Sequence, residues 1–210
     1  MKKLNLILSS LIFILFLISS STSFSADVKI IKGIAEVVDG DTIKIDGTRI
    51  RLFGIDAPEK DQTCKKNYFN HYWGKTFPLN LFYKDYNCGI HSTWELKALL
   101  SHDWRSFEDE NDYLGKKFII TCTYKTRDKW GRPLAICTHP RMGYFTDYHA
   151  KSLNQWMVKW GYAVAFTKYS KKYVSDEKTA KSFKIGIWKG PFEMPWDFRE
   201  KKRKKKKKNK

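Results

Sequence analysis

Apolar and polar positions interleave along the chain from residue 28, in three short runs broken by turn signals. "VKIIKGIAEVV" (28–38) and "TIKID" (42–46) read as strands separated by the turn "DGD". "DGT" (46–48) then leads into a third strand, "RIRLFGI" (49–55). Residues 60–90 show no clear periodicity but carry eight aromatics between Tyr68 and Tyr86. "STWE" (92–95) has the form of a capping box and opens a short helix, "WELKALL". After the polar connection "HDWRSFEDEND", the runs "KKFIITCTYKT" and "PLAICTH" pair as a hairpin across "DKWG" (128–131). Two helices follow. "SLNQWMVKWG" ends on Gly161 and "YVSDEKTAKSFKIG" on Gly186; in the second, Tyr173, Val174, Glu177, Ala180 and Phe183 share one mostly apolar side.

Three strands, a helix, two strands and two helices predict an α+β chain, mainly β. The simplest arrangement is a five-stranded antiparallel barrel of the OB-fold kind with about three packed helices.

Length and charge refine that picture. At 210 residues there is room for one domain with a proper core. The net charge is +18, of which the last ten residues, "KKRKKKKKNK", contribute +9 and residues 1–26 contribute +2. The body, residues 27–200, therefore keeps +7 of its own and favours an anionic partner. The final lysine run, 200–210, is expected to be disordered.

The start of the chain reads as a secretory signal, residues 1–25: two lysines, an apolar run from Leu4 to Ile18, then small residues. That run is shorter than the ~20 residues of a typical membrane span, although an uncleaved anchor is the competing reading. The expected location is secreted, or in the cell envelope or periplasm. In that oxidising setting the four cysteines point to disulfides. If "DKWG" is a tight turn, residues whose numbers sum to 259 face each other, which pairs Cys122 with Cys137 and leaves Cys64 with Cys88. No cysteine or histidine spacing suits zinc.

The chemistry concentrates where strands end. Asp39 and Asp41 flank Gly40; Asp56 and Glu59 follow the third strand around a proline. In a meander these two turns can approach, and a few oxygens completed by water suit Ca²⁺. "DG" alone is a common turn former. Arg51 says more, because it stands between Ile50 and Leu52 in a strand expected to be buried, where an arginine needs a partner. Arg51 and Asp56 are an odd number of residues apart, so a regular strand would face them oppositely. Gly54 is the natural place for the break that joins them. Arg132, after the hairpin turn, reads by spacing alone as an ordinary exposed residue.

Taken in order, "VVDGDTIKI", "RIRLFGIDAPEKDQTC", "RDKWGRPLAIC", "LNQWMVKWGYA", "KYSKKY" and "GIWKGPFEMPWDFR" resemble the thermonuclease (staphylococcal nuclease) family over residues 33–199. "QTC" and the later "CG" resemble its secreted bacterial members. The resemblance implies an OB-fold domain (27–199, with 60–90 as an insertion) and Ca²⁺-dependent cleavage of DNA and RNA. It implies Asp41, Asp56 and the carbonyl of Ala57 as metal ligands, Glu59 as general base, and Arg51 and Arg132 as phosphate-binding arginines. Alanine at 57 keeps a carbonyl where the family often has threonine. This set suits phosphodiester hydrolysis: a carboxylate to activate water, a cation to act as Lewis acid, and planar arginines for phosphate oxygens.

Binding is expected to tolerate any sequence and to favour single strands, with Trp130 and Tyr169 as stacking candidates. The aromatic insertion reads first as a packed, disulfide-tied flap. The lysine tail reads as a tether to nucleic acid or to an anionic envelope surface, and the protein as a monomer. The competing function is a noncatalytic OB-fold module that holds single-stranded nucleic acid. A weaker third is an envelope-associated adhesion protein with an inactive core.

Overall fold

The computed structural model describes residues 27–67, 83–101, 118–140, 142 and 150–209. The expected signal segment, residues 1–25, most of the aromatic insertion and the connection "HDWRSFEDEND" lie outside the described residues. Among the described residues no helix is long and apolar enough to cross a membrane.

Five strands close a barrel in the order β1 (Lys29–Asp39), β2 (Thr42–Ile45), β3 (Thr48–Leu52), β8 (Pro133–Thr138), β7 (Ile119–Arg127). The long first strand makes closure possible. Its first half pairs with β7, from Lys29 opposite Tyr124 to Ile34 opposite Ile119; its second half pairs with β2. One seam departs from the antiparallel expectation: β3 and β8 run parallel, with Arg51 opposite Leu134. Five strands cannot alternate in direction all the way round a closed ring, so at least one neighbouring pair must run parallel. Alternate positions of β2, β3, β7 and β8 point inward, so Ile43, Ile45, Ile50, Leu52, Ile120 and Ala135 fill the interior.

Both disulfides form as expected, Cys64–Cys88 and Cys122–Cys137. The hairpin register is subtler than a uniform sum. Next to the turn Arg127 faces Pro133 and Thr126 faces Leu134; the register shifts between Tyr124 and Thr126, after which Cys122 faces Cys137. A bulge absorbs one residue between turn and disulfide.

Outside the barrel, β4 (Ile55–Asp56) pairs with β9 (Val164–Ala165), and β5 (Thr63–Asn67) pairs with β6 (Tyr83–Asn87). The second ribbon lies in a stretch whose sequence shows no strand periodicity. The helices are α1 (Cys88–Ser101), α2 (Leu153–Lys159), α3 (Val174–Ser182) and α4 (Pro195–Lys208), with a 3₁₀ turn at Gly186–Lys189.

Three boundaries correct the sequence reading. Helix α1 begins at Cys88, not at "STWE": the Asn87 side chain accepts the Ile90 N–H at 2.8 Å. Ser92 lies within the helix; its hydroxyl donates to the Tyr162 carbonyl at 2.6 Å, with the Cys88 carbonyl also within reach at 3.0 Å. Helix α3 stops at Ser182, before Gly186, because Lys184 adopts a φ of 51°. The lysine run expected to be disordered is helical through Lys208. Proline at the start of the helix and good helix formers along it favour this continuation. Lys204 pairs with Glu200 one turn back, and Lys201 with Glu193, each at 2.8 Å. By contrast α2 matches its expectation: Ser152 caps it by accepting the Gln155 N–H, and it ends before Gly161, whose φ is 65°.

Candidate active site

The turn between β1 and β2 carries Asp41 inward, 3% exposed. Its Oδ2 accepts the Ala57 N–H at 2.9 Å, and its Oδ1 accepts the Thr42 hydroxyl at 3.1 Å and Arg51 Nη1 at 2.6 Å. The Asp41 N–H in turn donates to Asp39 Oδ1. One carboxylate thus ties the β1–β2 turn to the chain leaving β4.

Arg51 sits on β3 opposite Thr42. Beyond Leu52 the chain breaks at Gly54, whose φ of 77° favours glycine, and restarts as β4. That break brings Asp56 to the same side as Arg51, whose Nη2 donates to Asp56 Oδ1 at 2.6 Å. The expected interruption is where the odd spacing requires it. Buried Asn154, on α2, braces it from behind: its amide donates to the carbonyls of Phe53 and Ala135 and accepts the Cys137 N–H.

Glu59 follows on a tight loop. The Gln62 N–H donates to the Glu59 carbonyl, and Gln62 Oε1 accepts the Glu59 N–H. Fully buried Gln62 also donates to the Glu193 carbonyl at 2.6 Å, stitching the loop to the segment that starts α4. From α4 comes a residue to which the sequence reading gave no role. Arg199 donates to both oxygens of Asp56, at 2.9 and 2.7 Å, and to Glu59 Oε1 at 2.9 Å. Its only trace in the sequence is its place in "PWDFR".

Three carboxylates therefore meet two guanidiniums. Burial pushes the Asp41 carboxyl up to about 6, against the pull of Arg51. Burial also raises Asp56, opposed by its hydrogen bond from Arg199. Burial works against the charge on Arg51 and on Arg199, but the carboxylates win and hold both above the ordinary arginine value. Such a cluster retains net negative charge in a poorly solvated place, which favours a cation. Among the described residues no group of three or more His, Cys, Asp and Glu side chains forms a metal cage. The donors on offer are two buried carboxylates and backbone oxygens. Hard oxygens of this number fit Ca²⁺ or a similar ion that keeps several waters.

The other candidate residues make their described side-chain contacts with partners outside this cluster, although Arg132 stands two residues before Leu134, which faces Arg51. Arg132 pairs with Asp128, Nε to Oδ2 at 2.7 Å, and its guanidinium lies 5.1 Å from the Trp130 ring centre. Burial would raise Asp128, but the Arg132 side chain and the turn N–H groups hold it below the usual carboxylate value. Trp130 is 70% exposed on the hairpin tip. Tyr169 is exposed too and meets Phe166 edge-on; Phe166 stacks on Trp196 of α4. Ala57 touches Asp41 through its N–H. The structure so brings together Asp41, Arg51, Asp56, Ala57 and Glu59.

Comparison with known proteins gives this geometry a family. The chain matches the family described as staphylococcal nuclease homologue over residues 49–190. It is 32% identical over 157 residues to the succinoglycan biosynthesis protein ExoI of Rhizobium meliloti (strain 1021), a match covering 74% of this chain and 63% of that protein. It is 29% identical over 176 residues to an uncharacterized endonuclease of Escherichia coli O157:H7, covering 80% of this chain and 84% of the relative. Barrel, strand-end carboxylates and the family match over most of the chain agree: the protein belongs to the staphylococcal nuclease family.

Proposed function

We propose that this protein is an exported, Ca²⁺-dependent nuclease that cuts phosphodiester bonds within DNA and RNA without distinguishing the sugar. One observation carries the reading: a single guanidinium, Arg51, binds both Asp41 and Asp56, and Arg199 joins Glu59 to the same Asp56. The relatives named as endonucleases support it. The signal-like residues 1–25 and the two disulfides support export.

Asp41 and Asp56, with the Ala57 carbonyl, would hold the ion. Bound Ca²⁺ supplies a Lewis acid for the charge that grows on the phosphate oxygens. Glu59 accepts a proton from the attacking water as the water oxygen bonds to phosphorus and the ester P–O bond breaks, the leaving sugar oxygen taking up a proton from solvent. Arg51 exchanges part of its carboxylate contact for a phosphate oxygen, where its planar fork donates two hydrogen bonds. Arg132 approaches the phosphate from the hairpin after leaving Asp128, while Trp130 and Tyr169 offer faces to unpaired bases. A module that only binds strands has no use for buried carboxylates facing phosphate.

The test is digestion of single-stranded DNA by residues 27–210 in Ca²⁺ or in EGTA, beside Glu59→Gln. Cleavage in Ca²⁺ that stops on chelation and falls on the order of 10²-fold in the variant supports the reading. Tight binding without cleavage overturns it in favour of a binding module.

A further inference from the structure

The lysine-rich helix is rooted in the catalytic cluster, and its cations continue outward from it. Arg199 reaches Asp56 and Glu59; one turn on, Lys202 pairs with Asp61 and draws that carboxyl below its usual value by its hydrogen bond. Successive turns of α4 therefore follow successive residues of the loop leaving β4. Beyond Lys202, Arg203 and Lys206 lie within about 40° of the Arg199 direction around the helix, and both are exposed. Neither has an ion-pair partner among the described residues. Lys206 also lines a groove with Asp61, Glu193 and Phe198. Lys204 and Lys208 point about 140° and 180° away from Arg199.

We infer that α4 is a phosphate track: the face bearing Arg199, Lys202, Arg203 and Lys206 receives the polynucleotide as it leaves the scissile bond. This rests on the nuclease reading for the identity of the strand. From Arg199 to Lys206 the helix rises about 10 Å, roughly three phosphate steps of one duplex strand. A track must start where the reacting phosphate sits, and this one does. A tether to an anionic membrane would need no such root, since any orientation of a lysine run serves it.

The test compares two double variants of the full chain with equal loss of charge. Arg203→Gln with Lys206→Gln removes the site face; Lys204→Gln with Lys208→Gln removes the opposite face. Binding of a fluorescent 20-nucleotide single-stranded DNA is measured by anisotropy in EGTA, over a range of salt, with thermal melting to confirm equal folding. The site-face pair should weaken binding about tenfold at 0.1 M salt and lower the salt slope by about 1.4, against about twofold or less for the opposite face. Equal losses from both faces overturn the track in favour of diffuse attraction. Unchanged binding to DNA with lost binding to phosphatidylglycerol vesicles overturns it in favour of a membrane surface. Because no cutting is required, a wild-type protein that binds but never cleaves would sink the nuclease reading while this comparison still decides the track.

Discussion

Arg199 reaches across 143 residues of sequence to hold both carboxylate oxygens of Asp56, and the same Nη1 holds Glu59. The C-terminal helix is thereby part of the site wall. Asp56, with no exposure to solvent, sits between this guanidinium and that of Arg51. Glu59, on a loop, takes its described side-chain contact from Arg199.

Replacing Arg199 by alanine should therefore loosen the proposed base rather than the substrate. On a dinucleotide substrate kcat should fall on the order of 10²-fold while KM changes little, because a small misplacement of a reacting group is costly. Arg199→Lys keeps the charge but not the fork, and should recover part of the loss. Unchanged kcat in Arg199→Ala would show that Glu59 needs no such support.

Gly89 is a second control on Glu59, acting through the backbone. A Cβ added there would lie 1.7 Å from the Glu59 carbonyl oxygen, so the loop would have to move. Gly89→Ala should cost about 3 kcal/mol in urea unfolding and most of the cleavage rate. At Gly47 an added Cβ meets nothing within 4 Å and only its φ of 79° opposes it. Gly47→Ala should cost about 1 kcal/mol and leave cleavage unchanged.

The two disulfides should separate stability from activity. They span 24 and 15 residues, so chain entropy assigns each about 3 kcal/mol. Cys64–Cys88 anchors the start of α1, whose Gly89 N–H donates to Gln62 in the Glu59 loop. Cys122–Cys137 joins the neighbouring strands β7 and β8 and, among the described residues, bonds to no part of the Glu59 loop. Alanine at both members of either pair should lower unfolding free energy similarly. Only the first pair should also lower kcat by about tenfold or more.

Burial depresses the His139 imidazole to about 4. The unfolded chain takes up this proton near 6.5 and the folded chain does not, so stability is complete above 6.5 and is lost as pH falls toward 4. The loss is up to about 3 kcal/mol. Asp41 and Asp56 are raised by burial and act with opposite sign, gaining protons in the folded state. The difference between wild type and His139→Gln isolates the histidine. Melting followed from pH 7 to 4.5 should show a steeper fall in the wild type; parallel curves would remove His139 as the cause.

Local chemistry made much of this protein legible in one dimension. The break at Gly54 follows from the odd spacing of Arg51 and Asp56, and the Cys122–Cys137 pair follows from the hairpin, although the turn alone would set Cys122 opposite Thr138 and a bulge restores the pairing. What misled was also local. "STWE" has the form of a cap, yet Asn87 opens the helix and Ser92 spends its hydroxyl on Tyr162, a partner 70 residues away. The lysine run repels itself in isolation, but α4 has Glu193, Glu200 and Asp61 to offset that charge.

The sequence by itself determined the strands of the barrel and the two cysteine pairs and singled out Asp41, Arg51, Asp56 and Glu59, because turn chemistry, alternation and short-range parity act between near neighbours; Ala57 came from the family resemblance alone. Only the tertiary structure decided that Arg199 faces Asp56 and Glu59, that β3 meets β8 in parallel, and that the lysines continue from the site. Those relationships depend on where a closed barrel and its packed helices place residues from 83 to 143 positions apart, and no periodicity encodes that distance.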